Sequence, residues 1–182
     1  MTGAGVVATI EEAEVVPAPP FFAVSLWKLV VMSVCTLGLY ELYWFYRNWQ
    51  RVRVREQKDF SPAVRVLFAL IFCYPCFRRI ERYGWAMGLR PGPPVALLAL
   101  AWIFVKILGA FPLPYPWVSL LGCAFLLPMQ AYANRINAEK VPLHDRNSRF
   151  SRLNWAWILL GSCVLLLSLA AMFLLPAAAN AV

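Results

Sequence analysis

The sequence predicts an all-α fold: an integral membrane helical bundle of four transmembrane helices plus one interfacial or re-entrant helix at about residues 62–77. Three observations predict it. Of the 182 residues, 62% are apolar and only 14% charged, roughly half the charge of an ordinary soluble domain, and the mean hydropathy is +0.64. Fifteen of the seventeen Lys and Arg residues fall in three stretches, Arg47–Arg65, Arg78–Arg90 and Arg135–Arg152, and the others are Lys28 and Lys106. These stretches alternate with strongly apolar segments, and short loops rich in Lys and Arg stay on the cytoplasmic side of a membrane. The same alternation argues against nucleic acid as the partner of a chain with net charge +8 and points instead to anionic lipid headgroups.

Residues 1–24 read as a disordered tail. They carry Glu11, Glu12 and Glu14, no Lys or Arg, and the break Pro17-Ala18-Pro19-Pro20, so the basic start of a secretory signal is missing. The membrane domain is expected over 25–176. Its first span, 25–46, is long enough to cross a hydrocarbon core of about 30 Å at about 1.5 Å per residue. Spans two and three, 95–111 and 117–133, flank the uncharged Pro112-Leu113-Pro114-Tyr115-Pro116, which reads as a tight hairpin. Span four, 155–175, stops at Pro176 and leaves a short tail, 177–182.

The apolar run Val66–Phe77 has about a dozen residues, a length that favours an interfacial segment over a crossing. Without a crossing there, all three basic stretches share one side, and the acidic tail and the C-terminus lie on the other. Ser61-Pro62 supplies a helix start, with Ser as N-cap and Pro at the first helical position. The alternative is a tilted fifth span in a thinned bilayer.

The end of the first span, Thr36 to Trp49, is dense in Tyr and Trp, an aromatic belt beside a basic flank. Glu41 is not explained by a belt, because an ionisable group inside the headgroup boundary needs a partner. A single crossing over 25–46 places Glu41 near the inner face and Lys106 near the outer one, so Arg135, Arg78 or Arg79 are the expected partners. Lys28 and Lys106 are expected to snorkel outward. Gln130, Asn134 and Asn137 recur at i, i+4 and i+7, so their amides line one helical face at the depth of Glu41 and Asn48. With Tyr40, Tyr43 and Trp44 above them, they form a polar cluster that either ties helices together or holds a lipid headgroup or small anionic ligand. Arg47, Arg51, Arg53 and Arg55 interleave with apolar residues and are expected to lie along the inner leaflet, facing lipid.

No catalytic constellation is visible. Cys73-Tyr74-Pro75-Cys76 has the C-x-x-C spacing of a thiol redox pair, but it ends an apolar run, and the single His144 leaves no four-ligand zinc set at normal spacing. The five cysteines imply no disulfide framework. No cofactor or metal is expected, and there is no Gly-rich phosphate loop, H-E-x-x-H or G-x-S-x-G.

The run T-L-G-L-Y-E-L-Y-W-F-Y-R-N-W, with F-C-Y-P-C-F-R-R-I and Q-A-Y-A-N-R-I-N further on, resembles a family of small bacterial multi-pass membrane proteins that share a T-L-G-x-Y-x-x-Y-W signature. The resemblance extends over about residues 27–157 and carries no activity with it. It implies a bacterial inner-membrane location and a joint importance of Tyr40, Trp44, Asn48, Asn134 and Asn137. Cys76 stands where the family pattern leads us to expect a plain apolar residue. The expected function is that of a non-enzymatic scaffold or accessory membrane protein, acting through a membrane partner or as a homo-oligomer. The alternative is lipid binding or small-solute transport through the polar cluster.

Overall fold

The computed structural model describes residues 18–111 and 115–179, with side chains described over 18–111 and 117–171. Among these residues the chain is all-helical: α1 Leu26–Cys35, α2 Leu39–Glu56, α3 Pro62–Leu67, α4 Ala69–Ala86, α5 Val95–Leu108, a 3-10 helix Tyr115–Leu121, α6 Gly122–Lys140 and α7 Arg152–Ala179. Pro112, Leu113 and Pro114 of the expected hairpin lie outside the described residues, as do residues 1–17 of the tail and 180–182.

The largest correction concerns the first span, since 25–46 is not one helix. The Ser25 side chain caps α1, accepting from the Lys28 N–H at 3.2 Å. The helix closes where Leu37 (φ 53°) and Gly38 (φ 87°) enter the left-handed region and the Gly38 N–H donates to the Ser33 carbonyl at 2.8 Å. Thr36 then links the two helices: its hydroxyl donates to the Met32 carbonyl (2.6 Å) and accepts from the Tyr40 N–H (2.9 Å). The chain thereby reverses. Phe22, before α1, packs edge-on against Tyr43 and hydrogen-bonds Asn48, both in α2. Hydropathy is continuous through the turn, so a composition window reads one span where the backbone makes a hairpin. At about 1.5 Å per residue α1 is only about 15 Å long.

The same reversal moves residues 18–24 to the basic end of the bundle. Far from being a free tail, Phe21, Phe22, Ala23 and Val24 are all buried. They lie against Asn48, Arg55, Tyr83 and Asn137 rather than at the opposite end from the basic stretches. α7 starts at that same end, where the Lys28 ammonium donates to the Arg149 carbonyl (2.6 Å) and to the Asn147 Oδ1 (2.8 Å). It then runs along α1 to the other end, so the described ends of the chain lie apart and not together. Lys28 therefore does not snorkel outward; it is buried and fixes the loop before α7.

The segment expected at 62–77 is also two helices. Ser61 and Pro62 start α3 as expected, the Ser61 hydroxyl accepting from the Val64 N–H at 3.5 Å. Phe68 (φ −103°, ψ 41°) breaks the helix, and α4 continues to Ala86 with Pro75 inside it. α5 stops at Leu108 rather than 111, α6 extends past 133 to Lys140, and α7 passes through Pro176 to Ala179.

The core is aromatic. Phe45 stacks on Phe77 (5.9 Å between centroids) and meets Trp102 edge-on (5.0 Å), while Trp44 packs edge-on against both Phe45 and Phe77. All four side chains are essentially inaccessible, and truncating any of them to Ala removes about 3–5 kcal/mol. Outside this core the surface stays apolar. α5 presents the stripe Leu97, Leu100, Phe104 and Ile107, and α7 exposes Leu153, Trp155, Trp157, Leu159, Leu160, Val164, Leu166 and Leu167 around its circumference. Among the described residues one helix, over Arg152–Ala171, is long and apolar enough to cross a membrane, and none of that stretch is buried by the rest of the chain.

Candidate functional site

Two polar centres sit in this apolar bundle, one at each end. At the basic end the predicted amide cluster assembles, and its occupant is the chain itself. The non-helical segment 20–24 offers five consecutive carbonyls, and each meets a side-chain donor. Arg55 Nη1 donates to Pro20 (3.2 Å), Asn137 Nδ2 to Phe21 (3.1 Å) and Gln130 Nε2 to Phe22 (3.1 Å). Asn147 Nδ2 donates to Ala23 (3.1 Å), and Val24 accepts from both Gln130 Nε2 (3.2 Å) and Asn134 Nδ2 (2.8 Å).

The N–H groups of the segment are read as well. Phe21 donates to Asn137 Oδ1 (3.0 Å), so that one amide clamps both polar groups of one residue, and Phe22 donates to Asn48 Oδ1 (3.2 Å). Asn48 is itself held by the Trp44 carbonyl (3.0 Å), and the Trp44 indole N–H donates to Gln130 Oε1. Asn48, Gln130 and Asn137 are fully buried. A buried segment outside any helix or sheet would leave its backbone unsatisfied, and the amides supply the missing partners.

Of the predicted basic residues, Arg47 and Arg55 do not simply face lipid. Arg55 lies 4.6 Å from the ring centroids of both Phe21 and Tyr83, and Arg47 lies 5.5 Å from Phe22 and 5.9 Å from Tyr43, so both cover the clamped segment. Arg51 is half-buried, and Arg53 is exposed near Asp59 (3.6 Å). Sequence reasoning missed Asn147. Its signal was an Asn between Arg146 and Ser148 in the loop before α7, a residue type that tolerates the left-handed conformation it adopts here (φ 49°).

The second centre lies at the α1–α2 reversal and corrects the expected partner of Glu41. Glu41 is not beside Asn48. It occupies the first turn of α2 at the far end, where its Oε2 lies 3.0 Å from Lys106 Nζ and accepts from the Trp102 indole N–H at 2.6 Å. Lys106 Nζ also donates to the Ser119 carbonyl (2.8 Å) and lies 3.2 Å from its hydroxyl. Arg78 and Arg79 pair instead with Glu81 and Glu56. Gly122 leaves room for the pair: a Cβ there would lie 2.7 Å from Lys106 Cε and 2.9 Å from Glu41 Oε2. Glu41 is completely buried, and its second oxygen, Oε1, has no hydrogen-bond partner. Tyr40 is buried beside Tyr43 at this end of α2, away from the amide cluster.

Cys73 and Cys76 are both completely buried on the core side of α4, closed to the thiolate chemistry that a C-x-x-C pair performs. Among the described residues no cluster of His, Cys, Asp or Glu could hold a metal ion.

These features define a class: an all-helical protein with an apolar exterior, a buried ion pair at one end, and an N-terminal segment clamped by amides at the other. No protein-family model, curated protein or solved structure matches the chain.

Proposed function

We propose that this chain is a multi-pass integral membrane protein of the bacterial inner membrane that acts by interaction, as a non-enzymatic scaffold or accessory subunit. The observation that carries the reading is the outer surface of the bundle. The apolar face of α7 turned away from α1 and the outward stripe of α5 are left uncovered by the chain's own residues, and lipid or another membrane helix is what can cover them.

In this arrangement the α1–α2 hairpin, the N-terminal half of α4, α5, α6 and α7 are the embedded elements, and residues 18–24 share the cytoplasmic side with the basic ends. Arg51 and Arg55 of the first basic stretch and Lys140 of the third gather there around one groove with Tyr83, which supports that end as the cytoplasmic one. The T-L-G-x-Y-x-x-Y-W resemblance supports the same location. Interaction is favoured over small-solute transport because the amides that would bind a solute already hold residues 21–24.

Native mass spectrometry after mild detergent extraction from its own membrane tests the proposal. A stable partner polypeptide or a homo-oligomer is expected; a monodisperse, partnerless monomer refutes the interaction role.

A further inference from the structure

A second basic feature, apart from the clamped segment, lies between the C-terminal end of α2 and the outer face of α4. Arg55, Lys58, Arg78, Arg79 and Arg82 converge on a cavity of about 510 Å³ whose lining holds one carboxylate, Glu56. That carboxylate is shared, 3.1 Å from both Arg79 Nε and Lys58 Nζ, and Arg78 leans on Glu81. Five cations thus face two carboxylates, a net charge of +3, and Arg55 and Arg82 have no ion pair among the described residues. Arg55 and Arg79 are fixed in place, the first by the Pro20 carbonyl and the Phe21 and Tyr83 rings, the second by Glu56 and the Pro75 carbonyl (3.2 Å). Fixed guanidinium forks around an uncompensated cavity match the oxygens of a phosphodiester.

The rest of α4 indicates which phosphodiester. Ile71, Tyr74, Arg78 and Arg82 fall at i, i+3, i+7 and i+11, one face of the helix. Ile71 and Tyr74, with Leu70 beside them, are exposed apolar surface leading directly to the cations. From Ile71 to Arg82 the helix rises about 16 Å, close to the half-thickness of a hydrocarbon core of about 30 Å. A soluble phosphate uses only the lower half of that face, whereas a phospholipid uses all of it.

We infer that this cavity is a specific site for one anionic phospholipid of the inner leaflet, its phosphate among Arg55, Arg78 and Arg82 and its acyl chains along Leu70, Ile71 and Tyr74. The site shares Arg55 with the clamped segment and leaves the Glu41–Lys106 pair untouched.

The test is native mass spectrometry of the full chain in detergent, titrated with dioleoylphosphatidylglycerol, dioleoylphosphatidylcholine, sn-glycerol 3-phosphate or inorganic phosphate. One retained phosphatidylglycerol per chain is expected, with phosphatidylcholine and both soluble phosphates bound at least ten-fold more weakly. The double variant Arg78→Gln, Arg82→Gln should lose about 30-fold in affinity for phosphatidylglycerol, from about 1 kcal/mol per basic residue. The pair Arg149→Gln, Arg152→Gln, which removes the same charge outside the cavity, should leave affinity unchanged. Because Arg78 also pairs with Glu81, Arg82→Gln alone serves if the double variant does not fold; Arg82 is exposed and has no ion pair among the described residues, and its loss should cost about five-fold. Equal losses in the two double variants overturn the site. Equal binding of inorganic phosphate overturns the lipid, and failure to retain phosphatidylglycerol overturns both.

Discussion

Removing Lys106 tests whether the reversal at Thr36–Gly38 places Glu41 where the structure has it. The pair is separated by 3.0 Å, Glu41 is completely buried and the Lys106 side chain is 16% exposed. With an effective dielectric constant of about 20, the Coulomb attraction at that separation is about 5 kcal/mol, much of it offset by desolvation. Lys106→Met leaves a buried carboxylate with one donor, the Trp102 indole, and should destabilise by about 3–5 kcal/mol. The reciprocal change is milder. In Glu41→Gln the ammonium keeps the Ser119 carbonyl and hydroxyl, so a loss of about 1–2 kcal/mol is expected. The double variant should recover about 2–3 kcal/mol relative to the sum of the single ones, the signature of two groups in contact. Reversible unfolding in mixed micelles, followed by helicity, measures all three. Strictly additive effects, or a Glu41→Gln more damaging than Lys106→Met, would refute the pairing and with it the folding-back of α2 beside α5.

Three further outcomes are expected. Gly161 sits so close to α1 that a Cβ would lie 1.5 Å from the Cys35 carbonyl, so Gly161→Ala must part α7 from α1; a loss of about 1–3 kcal/mol or more in the same unfolding assay is expected, and an unchanged transition would contradict the contact. Asn137→Leu strands both polar groups of Phe21 and should cost about 2–4 kcal/mol, seen as accelerated amide exchange over residues 21–24 with α5 and α6 unchanged. Glu56 gives the pH dependence at the basic end: burial raises its pKa, but the Lys58 hydrogen bond and the charges of Arg79, Lys58 and Arg55 outweigh burial and hold it below its ordinary 4.5. A carboxyl lowered on folding contributes stability that is fully present above pH 4.5 and lost as the pH falls through the folded value, so Glu56→Gln should lower stability at neutral pH and flatten its fall across that acid range.

How much of this was legible in the sequence depended on whether the signal was periodic or local. The amphipathic spacing of Gln130, Asn134 and Asn137 predicted a shared polar face, and the structure brings all three together with Asn48 and Trp44. What filled that face was not legible, because the partner is main chain: Phe21 to Val24 look apolar in sequence, and their backbone groups have no composition. Local chemistry was underweighted. Thr36-Leu37-Gly38 carried the ordinary signs of a helix stop, a Gly in the left-handed region and a Thr able to cap, yet lay inside an unbroken apolar run.

That single turn accounts for the related errors. Read as helix, Thr36–Gly38 puts Glu41 at the inner end of one long span, out of reach of Lys106, and sends residues 18–24 to the outer side. Read as a reversal, it puts Glu41 in the first turn of α2 beside α5 and returns the N-terminal segment to the amides of α6. The two polar centres are therefore coupled through α2: its first turn carries Glu41, and about 10 Å further along, seven residues on, it carries Asn48. A rotation of α2 that broke the ion pair would also withdraw Asn48 from Phe22. On this argument Lys106→Met should loosen residues 21–24 even though Lys106 contacts none of them, and amide-exchange protection of Phe22 is where that coupling registers. Full protection of Phe22 in Lys106→Met would show that α2 holds each centre independently.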